Sequence, residues 1–237
     1  MRLRRAYSPS EVLAMKIPSF PFRGAWEASL GRPAKSGTWL VWGHSGNGKT
    51  SFVMQLAKYL CKFEKVIYDS LEESTGLSVQ KSLRRHGMAD VSRRFIILDR
   101  EPMSMLSERL RRRKSPGVVI VDSFQYSGLT YNGYKQLKES HPGKLFIFIS
   151  HAEGSRPEGR AAKKVEYDAD VKIFVEGFKA SCKSRFMDRP GVPYIIWEEG
   201  AVKYALGEPD GDPSGTVAED DGPDAAADGK EVDGDEP

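Results

Sequence analysis

Gly43-His44-Ser45-Gly46-Asn47-Gly48-Lys49-Thr50 is a complete GxxxxGKT run, and the residues on either side of it decide the fold. The apolar stretch Trp39-Leu40-Val41-Trp42 reads as a strand leading in. Phe52, Val53, Leu56, Ala57 and Leu60 recur at helical spacing on the way out. In that setting the glycines allow successive backbone N–H groups to converge on a phosphate, and the helix N-terminus adds partial positive charge. Lys49 reaches β- and γ-phosphates, and Thr50 ligates Mg²⁺. Residues Gly43, His44, Ser45, Gly46, Asn47, Gly48, Lys49, Thr50 and Ser51 are therefore the expected cradle for a nucleoside triphosphate.

Strand and helix patterns alternate onward from this loop. Strands are expected at Lys65–Asp69, Arg94–Leu98, Gly117–Val121 and Lys144–Ile149. Helices are expected at Leu77–His86, Met103–Lys114 and Tyr134–Ser140. Near-continuous apolar strands between helices imply an α/β fold with a mainly parallel central sheet and helices on both faces. Beyond Asp170, short strands broken by Gly and Pro imply C-terminal hairpins at the sheet edge.

Val118-Val119-Ile120-Val121-Asp122 ends in a carboxylate about seventy residues after the phosphate loop, the position of a Walker B aspartate beside Mg²⁺. The segment Tyr68-Asp69-Ser70-Leu71-Glu72-Glu73-Ser74 places two acids after a strand whose C-terminal end faces the nucleotide crevice. Hydrolysis needs a carboxylate to orient and deprotonate water, a role open to Glu72 or Glu73. Acidic residues near a helix start also satisfy the helix dipole.

Taken in order, these segments resemble the core of the RecA-type P-loop ATPases, the one shared by RadA, KaiC and DnaB-type helicases. The resemblance rests on Tyr68–Ser74, on Asp122-Ser123-Phe124-Gln125, on Phe148-Ile149-Ser150-His151 and on Cys182-Lys183-Ser184-Arg185-Phe186, and covers about residues 37–200. It implies a RecA-like sheet in which the sensor strand separates the Walker B strand from the phosphate-loop strand. It makes Glu72 the catalytic base and His151 a reader of the γ-phosphate. Lys183 and Arg185 become cations reaching the ATP of a neighbouring subunit, with Ser184 standing where the family's segment has Asn. ATP and Mg²⁺ are the implied cofactors, with Mg²⁺ on Thr50 and Asp122, and a homo-oligomer, ring or filament, is the implied assembly. The chain resembles a minimal, single-domain form of the kind carried by phages and mobile elements. Read without the resemblance, Lys183 and Arg185 are edge-strand charges of the sort that block edge-to-edge pairing.

Charge is divided unevenly. The net charge of +3 combines twelve acids and one Lys in residues 208–237 with 35 basic and 21 acidic side chains before them. The tail is too poor in apolar residues to fold alone. The expected organisation is an N-terminal arm (1–36), a RecA-like ATPase core (37–207) and a disordered acidic tail (208–237), the last a possible dock for a protein partner. A basic body suggests a polyanionic partner. The resemblance implies that the Gly-rich stretch directly after the sensor strand is a loop that meets single-stranded DNA, where Arg156, Arg160, Lys163 and Lys164 would neutralise phosphates, and Tyr126, Tyr131 and Tyr134 form a second candidate loop for base stacking. The two cysteines, Cys61 and Cys182, lack metal-ligand spacing and fit free thiols in a reducing cytosol. No apolar run reaches membrane-spanning length, so a cytoplasmic enzyme is expected.

These features favour an ATPase acting on DNA in recombination, repair or replication. A KaiC-like motor or regulator acting on protein is the alternative. A P-loop small-molecule kinase is less well matched, because the segment after Asp122 is Tyr- and Gly-rich rather than an Arg-rich lid.

Overall fold

The computed structural model describes residues 5–207; the acidic tail lies outside the described residues. Helices α1 (Pro9–Leu13) and α2 (Ala25–Leu30) precede strand β1 (Gly37–Gly43) and helix α3 (Lys49–Leu60). There follow β2 (Val66–Ser70), α4 (Leu77–Arg85), β3 (Phe95–Asp99), α5 (Met103–Arg111), β4 (Val118–Asp122), α6 (Tyr131–Ser140) and β5 (Leu145–Glu153). The chain then adds β6 (Arg156–Pro157), α7 (Arg160–Asp168), β7 (Val171–Glu176), β8 (Lys179–Ser184), β9 (Tyr194–Ile195) and α8 (Glu198–Leu206).

The sheet runs β3-β2-β4-β5-β1-β7-β8-β9, with β6 hairpinned onto β5. The strands from β3 to β7 pair in parallel, whereas β7–β8 and β8–β9 are antiparallel. Strand β4, which ends in Asp122, and the phosphate-loop strand β1 are thus separated by β5, the order the resemblance implies. The antiparallel hairpins lie at the C-terminal edge.

Alternation along the strands makes two cores. Trp39, Val41, Val118, Ile120 and Ile147 face the side covered by α3, whose Phe52, Val53, Leu56 and Leu60 are buried there. Leu40, Val119, Val121, Phe146 and Phe148 face the side covered by α5, α6 and α7. Because both faces are covered, the central strands are apolar at nearly every position.

Residues 18–35 close on themselves through Phe20 N–H to Pro33 O (2.8 Å) and Lys35 N–H to Pro18 O (2.9 Å). This loop sends Phe20, Phe22, Trp26 and Leu30 into the α3-side core. Trp26 stacks on Tyr194 (4.1 Å) and on Tyr59 (5.4 Å), tying the N-terminal segment to the C-terminal edge. Residues 5–17, by contrast, bury nothing, and Leu13 is 86% exposed.

Some local expectations shift. Helix α6 starts at Tyr131, and α5 stops at Arg111. The basic stretch expected as a loop is largely α7, which presents Ala162 and Val165 to the core. Tyr134 is fully buried with its hydroxyl bonded to Thr38 and Asp168, so it is not available for stacking on a base.

Truncating the completely buried Phe22 to Ala should cost about 3–5 kcal/mol in denaturant unfolding, through lost burial and a residual cavity. Leu13→Ala, on the exposed segment, should stay within about 0.5 kcal/mol.

Candidate nucleotide site

Strand β1 ends at Gly43, where a side chain would not fit: a Cβ there would meet Val175 O at 2.1 Å. The chain then curls through Gly46 and Gly48 at φ +78° and +92°, backbone regions open to glycine, before α3 begins at Lys49. The unpaired amides of the first turn of this twelve-residue helix face the same cleft. Asn47 does not join the cradle's interior. Its Oδ1 accepts from Gly177 N–H (2.7 Å) and its Nδ2 donates to Ser45 O (3.1 Å), tying the loop to the β7–β8 turn. Lys49 Nζ donates to His44 O (2.8 Å), curled back over the loop. Burial pulls its ammonium below the ordinary lysine value, against the opposing pull of Asp122 and Glu72.

A cavity of about 270 Å³ opens above the loop. It is bounded by Ser45, Gly46, Gly48, Lys49, Thr50 and Ser51 on one side. Glu72, Glu73, Asp122 and His151 form the other. The parallel register explains this convergence: β1, β2, β4 and β5 all end at the same rim. Asp122 accepts a hydrogen bond from Tyr68 on the neighbouring strand, and burial pushes its carboxyl up to about 6. Glu72 and Glu73 push the same way, while Tyr68 and Lys49 oppose. The Asp122–Ser123 peptide is cis.

The backbone of the Glu72 loop is held at both ends. Leu71 N–H (2.6 Å) and Glu72 N–H (3.1 Å) donate to Asp122 O. Arg100 Nη2 donates to Glu72 O (3.1 Å), and Ser74 Oγ donates to Asp99 Oδ1 (2.5 Å). His151 Nε2 lies 3.3 Å from Glu72 Oε2. Gln125 links β5 to the segment beyond it: Nε2 donates to Ser150 Oγ (2.8 Å) and Glu158 O (3.2 Å), and Oε1 accepts from His151 N–H (3.4 Å).

Sequence reading missed Tyr68, Asp99 and Arg100. A tyrosine in a buried strand reads as core, and nothing local marks Arg100, which sits at φ +51°, as a tether. Below this loop, on the opposite sheet face, Asp69 is fully buried. Its Oδ1 accepts from Glu101 N–H (3.0 Å), its Oδ2 has no partner among the described residues, and Glu101 forms a bidentate pair with Arg109 (2.8 and 2.5 Å).

Lys183 and Arg185 are not brought to this cavity. They lie at the end of β8 paired with the start of β7, the opposite end of the sheet from the chain's own phosphate loop. Arg185 bonds Asp170 Oδ1 and Tyr167 O, each at 3.3 Å. Of the four cations expected at DNA, Arg156 pairs with Glu166 (2.9 and 2.8 Å) and Lys163 with Glu153 (2.7 Å). Among the described residues Arg160 and Lys164 are not held in such pairs, and Lys164 Nζ lies 5.7 Å above the Tyr131 ring.

Among the described residues no group of three or more His, Cys, Asp or Glu is arranged to hold a metal by itself. The oxygen donors that border the cavity are the hydroxyls of Ser45, Thr50 and Ser51 and the carboxylates of Glu72, Glu73 and Asp122. Hard oxygen donors of this kind suit Mg²⁺ shared with phosphate oxygens and water. Among the described residues no helix is long and apolar enough to cross a membrane.

Burial raises Asp69 to about 6, so between the unfolded carboxylate value near 4 and that pKa the folded chain binds an extra proton. This group's cost to stability is therefore full above about pH 6 and relieved as pH falls towards 4. Asp69→Asn should raise stability at pH 8, by roughly 1–3 kcal/mol. The gain over the unmodified chain should shrink by pH 5, as measured by denaturant melts across pH.

No family model matches the chain, and no curated protein matches it. Among solved structures it is similar to one described as an ATPase domain. The TM-score is 0.53 at 16% identity, over 70% of this chain and 84% of that one. With strand order, phosphate loop and rim in agreement, the chain carries the RecA-like P-loop fold, a mostly parallel sheet flanked by helices on both faces.

Proposed function

We propose that this chain is a Mg²⁺-dependent ATPase that acts on DNA, single-stranded by preference, in recombination, repair or replication. The observation that carries the hydrolytic reading is the shared rim. Lys49, Thr50, Glu72, Asp122 and His151 border one cavity although they come from four separate strand ends. In this reading the loop amides and Lys49 hold the β- and γ-phosphates, and Thr50 and Asp122 hold Mg²⁺. Glu72 takes the proton of the attacking water. His151, beside Glu72, senses whether the terminal phosphate is present. The bound metal supplies charge neutralisation at the phosphates.

Two things support the DNA reading: the basic surplus of residues 1–207 and the Gln125 tether. Gln125 touches the sensor strand and the Glu158 carbonyl at once, so a shift at His151 is transmitted to the segment carrying Arg156 and Arg160. Arg160, Lys164, Tyr126 and Tyr131 supply charge and ring faces for a single strand. Arg156 and Lys163 would have to exchange their present carboxylate partners for phosphates. The solved ATPase domain that shares this fold adds weight to ATP as the nucleotide. A protein-directed, KaiC-like motor is the second reading, and it predicts turnover indifferent to DNA.

In steady-state turnover, Lys49→Ala should abolish nucleotide binding or hydrolysis. Glu72→Gln should bind ATP nearly normally and lose at least about a hundredfold in rate, the scale of a missing general base. Single-stranded DNA should stimulate the unmodified chain, with affinity falling steeply as salt rises. Turnover unchanged by DNA at low salt would favour the protein-directed reading.

The placement of Lys183 and Arg185 away from their own phosphate loop supports action on a neighbour's ATP in a homo-oligomer. Arg185→Ala should cut turnover by about 10³-fold or more without weakening ATP binding. Mixing it with Glu72→Gln should restore activity at hybrid interfaces. Co-assembled mixtures that remain inactive would count against action in trans.

A further inference from the structure

Glu72, the proposed base, sits in the loop between β2 and α4, and the turn from β3 into α5 grips that loop from the side. Arg100 N–H donates to Ser70 O (3.2 Å), one step past the last ladder pair of Ser70 with Asp99. Arg100 Nη2 donates to Glu72 O (3.1 Å), and Asp99 Oδ1 accepts from Ser74 Oγ (2.5 Å). Glu101 N–H donates to Asp69 Oδ1 (3.0 Å). The peptide groups of Glu72 are thereby committed on both sides. Its N–H donates to Asp122 O beyond β4 (3.1 Å), and its carbonyl accepts from Arg100 beyond β3 (3.1 Å). Holding both groups of one residue holds the direction of its Cα–Cβ bond, from which the carboxylate hangs.

The backbone at this junction is strained. Among the described residues four that are not glycine have positive φ, and two of them, Ser74 (+61°) and Arg100 (+51°), lie here. Each donates its side chain to the opposite segment. The left-handed region penalises a residue with a Cβ, and glycine escapes that penalty. Arg100 is also exposed, where a single hydrogen bond returns little stability. Folding alone therefore does not account for an arginine at this corner. What glycine would lack there is the bond to the Glu72 carbonyl. Arg100 does not itself border the phosphate cavity, so it acts on the site only through the loop it holds.

We propose that Arg100 is a positioning residue for hydrolysis: by anchoring the Glu72 carbonyl from outside the cavity it aims the Glu72 carboxylate at the attacking water. The inference rests on the reading of Glu72 as the base. A general base must lie within hydrogen-bond reach of the proton it takes. Freedom in its backbone therefore slows the chemical step, while the phosphate loop keeps its hold on the nucleotide.

The test is single-turnover hydrolysis of Mg²⁺–ATP by the full chain, with calorimetric ATP binding and denaturant melts alongside. Arg100→Gly should slow hydrolysis by about ten- to a hundredfold, the scale of a misplaced catalytic group, and leave the ATP dissociation constant within about twofold. Its melt should hardly move, because the relief of left-handed strain offsets the lost bond and the freer unfolded chain. Arg100→Lys, which keeps a donor for the carbonyl, should retain most of the rate. Added to Glu72→Gln, Arg100→Gly should cost less than about twofold more, since a group acting through Glu72 has nothing left to aim. Should Arg100→Gly fail to fold, Arg100→Met, which keeps the stem and loses the donor, decides by the same comparisons. The proposal is overturned if the two losses add in full, if Arg100→Gly keeps the unmodified rate, or if Arg100→Lys is as slow as Arg100→Gly. ATP binding weakened as much as the rate would overturn it as well, making the turn a support for the whole cleft. In each of these cases a slow Glu72→Gln leaves the base assignment standing. If Glu72→Gln hydrolyses at the unmodified rate, or the unmodified chain does not hydrolyse ATP, both readings fall.

Discussion

Two backbone amides, those of Leu71 and Glu72, converge on the carbonyl oxygen of Asp122. This convergence joins the ends of β2 and β4 after their ladder has run out. It sets the distance between the proposed base and the proposed metal ligand by main-chain geometry rather than by side-chain choice. Tyr68 adds a second link between the same strands by donating to the Asp122 carboxyl. Partial burial costs this carboxyl some of its hydration, and the phenol offsets part of that cost while holding the group in one orientation. The cavity inherits its shape from this junction. His151 enters from β5, the loop enters from β1, and both are placed by register against β4 or its neighbour.

Much of this was legible in the residues because parallel strands buried on two faces leave an unmistakable pattern. Val118–Val121 and Leu145–Ile149 have no polar position to confuse with a helix stripe, and GxxxxGKT between Trp42 and Phe52 allows one geometry. What escaped the sequence follows from weaker signals. Helix α7 buries only Ala162 and Val165, three positions apart, so its nine residues look like a charged Gly-flanked loop. Helix α8 is masked in the same way by its few buried positions, Gly200 and Ala201. Tyr134 has the composition of a stacking residue and the environment of a core residue, a difference only tertiary contact can make. The tethers through Arg100, Asp99 and Asn47 join residues far apart in sequence and carry no local pattern at all.

Under the proposed trans reading, the position of Arg185 would leave the site of a single chain short of a cation. Its guanidinium rests on Asp170 and the Tyr167 carbonyl, at an exposed end of an antiparallel edge. Those bonds are long and solvent-facing, the kind that contribute little to stability and yield readily to a better anion. The same edge is joined at its other end to the phosphate loop through Asn47 and Gly177. Opposite ends of one hairpin thus carry the contact to the chain's own loop and the Arg185–Asp170 pair.

The loop of residues 18–35 bears on where this protein can be cut. Motif boundaries suggest beginning the ATPase unit near the phosphate-loop strand, and a chain started there would lack Phe20, Phe22, Trp26 and Leu30. Tyr59 and Tyr194 would each lose the indole that stacks on them, and the face of α3 turned away from the sheet would be left open to water. Such a fragment would retain every motif residue and still carry an adhesive apolar cleft, prone to self-association in proportion to its concentration. Aromatic packing upstream of the first motif is thus part of the same core that α3 closes.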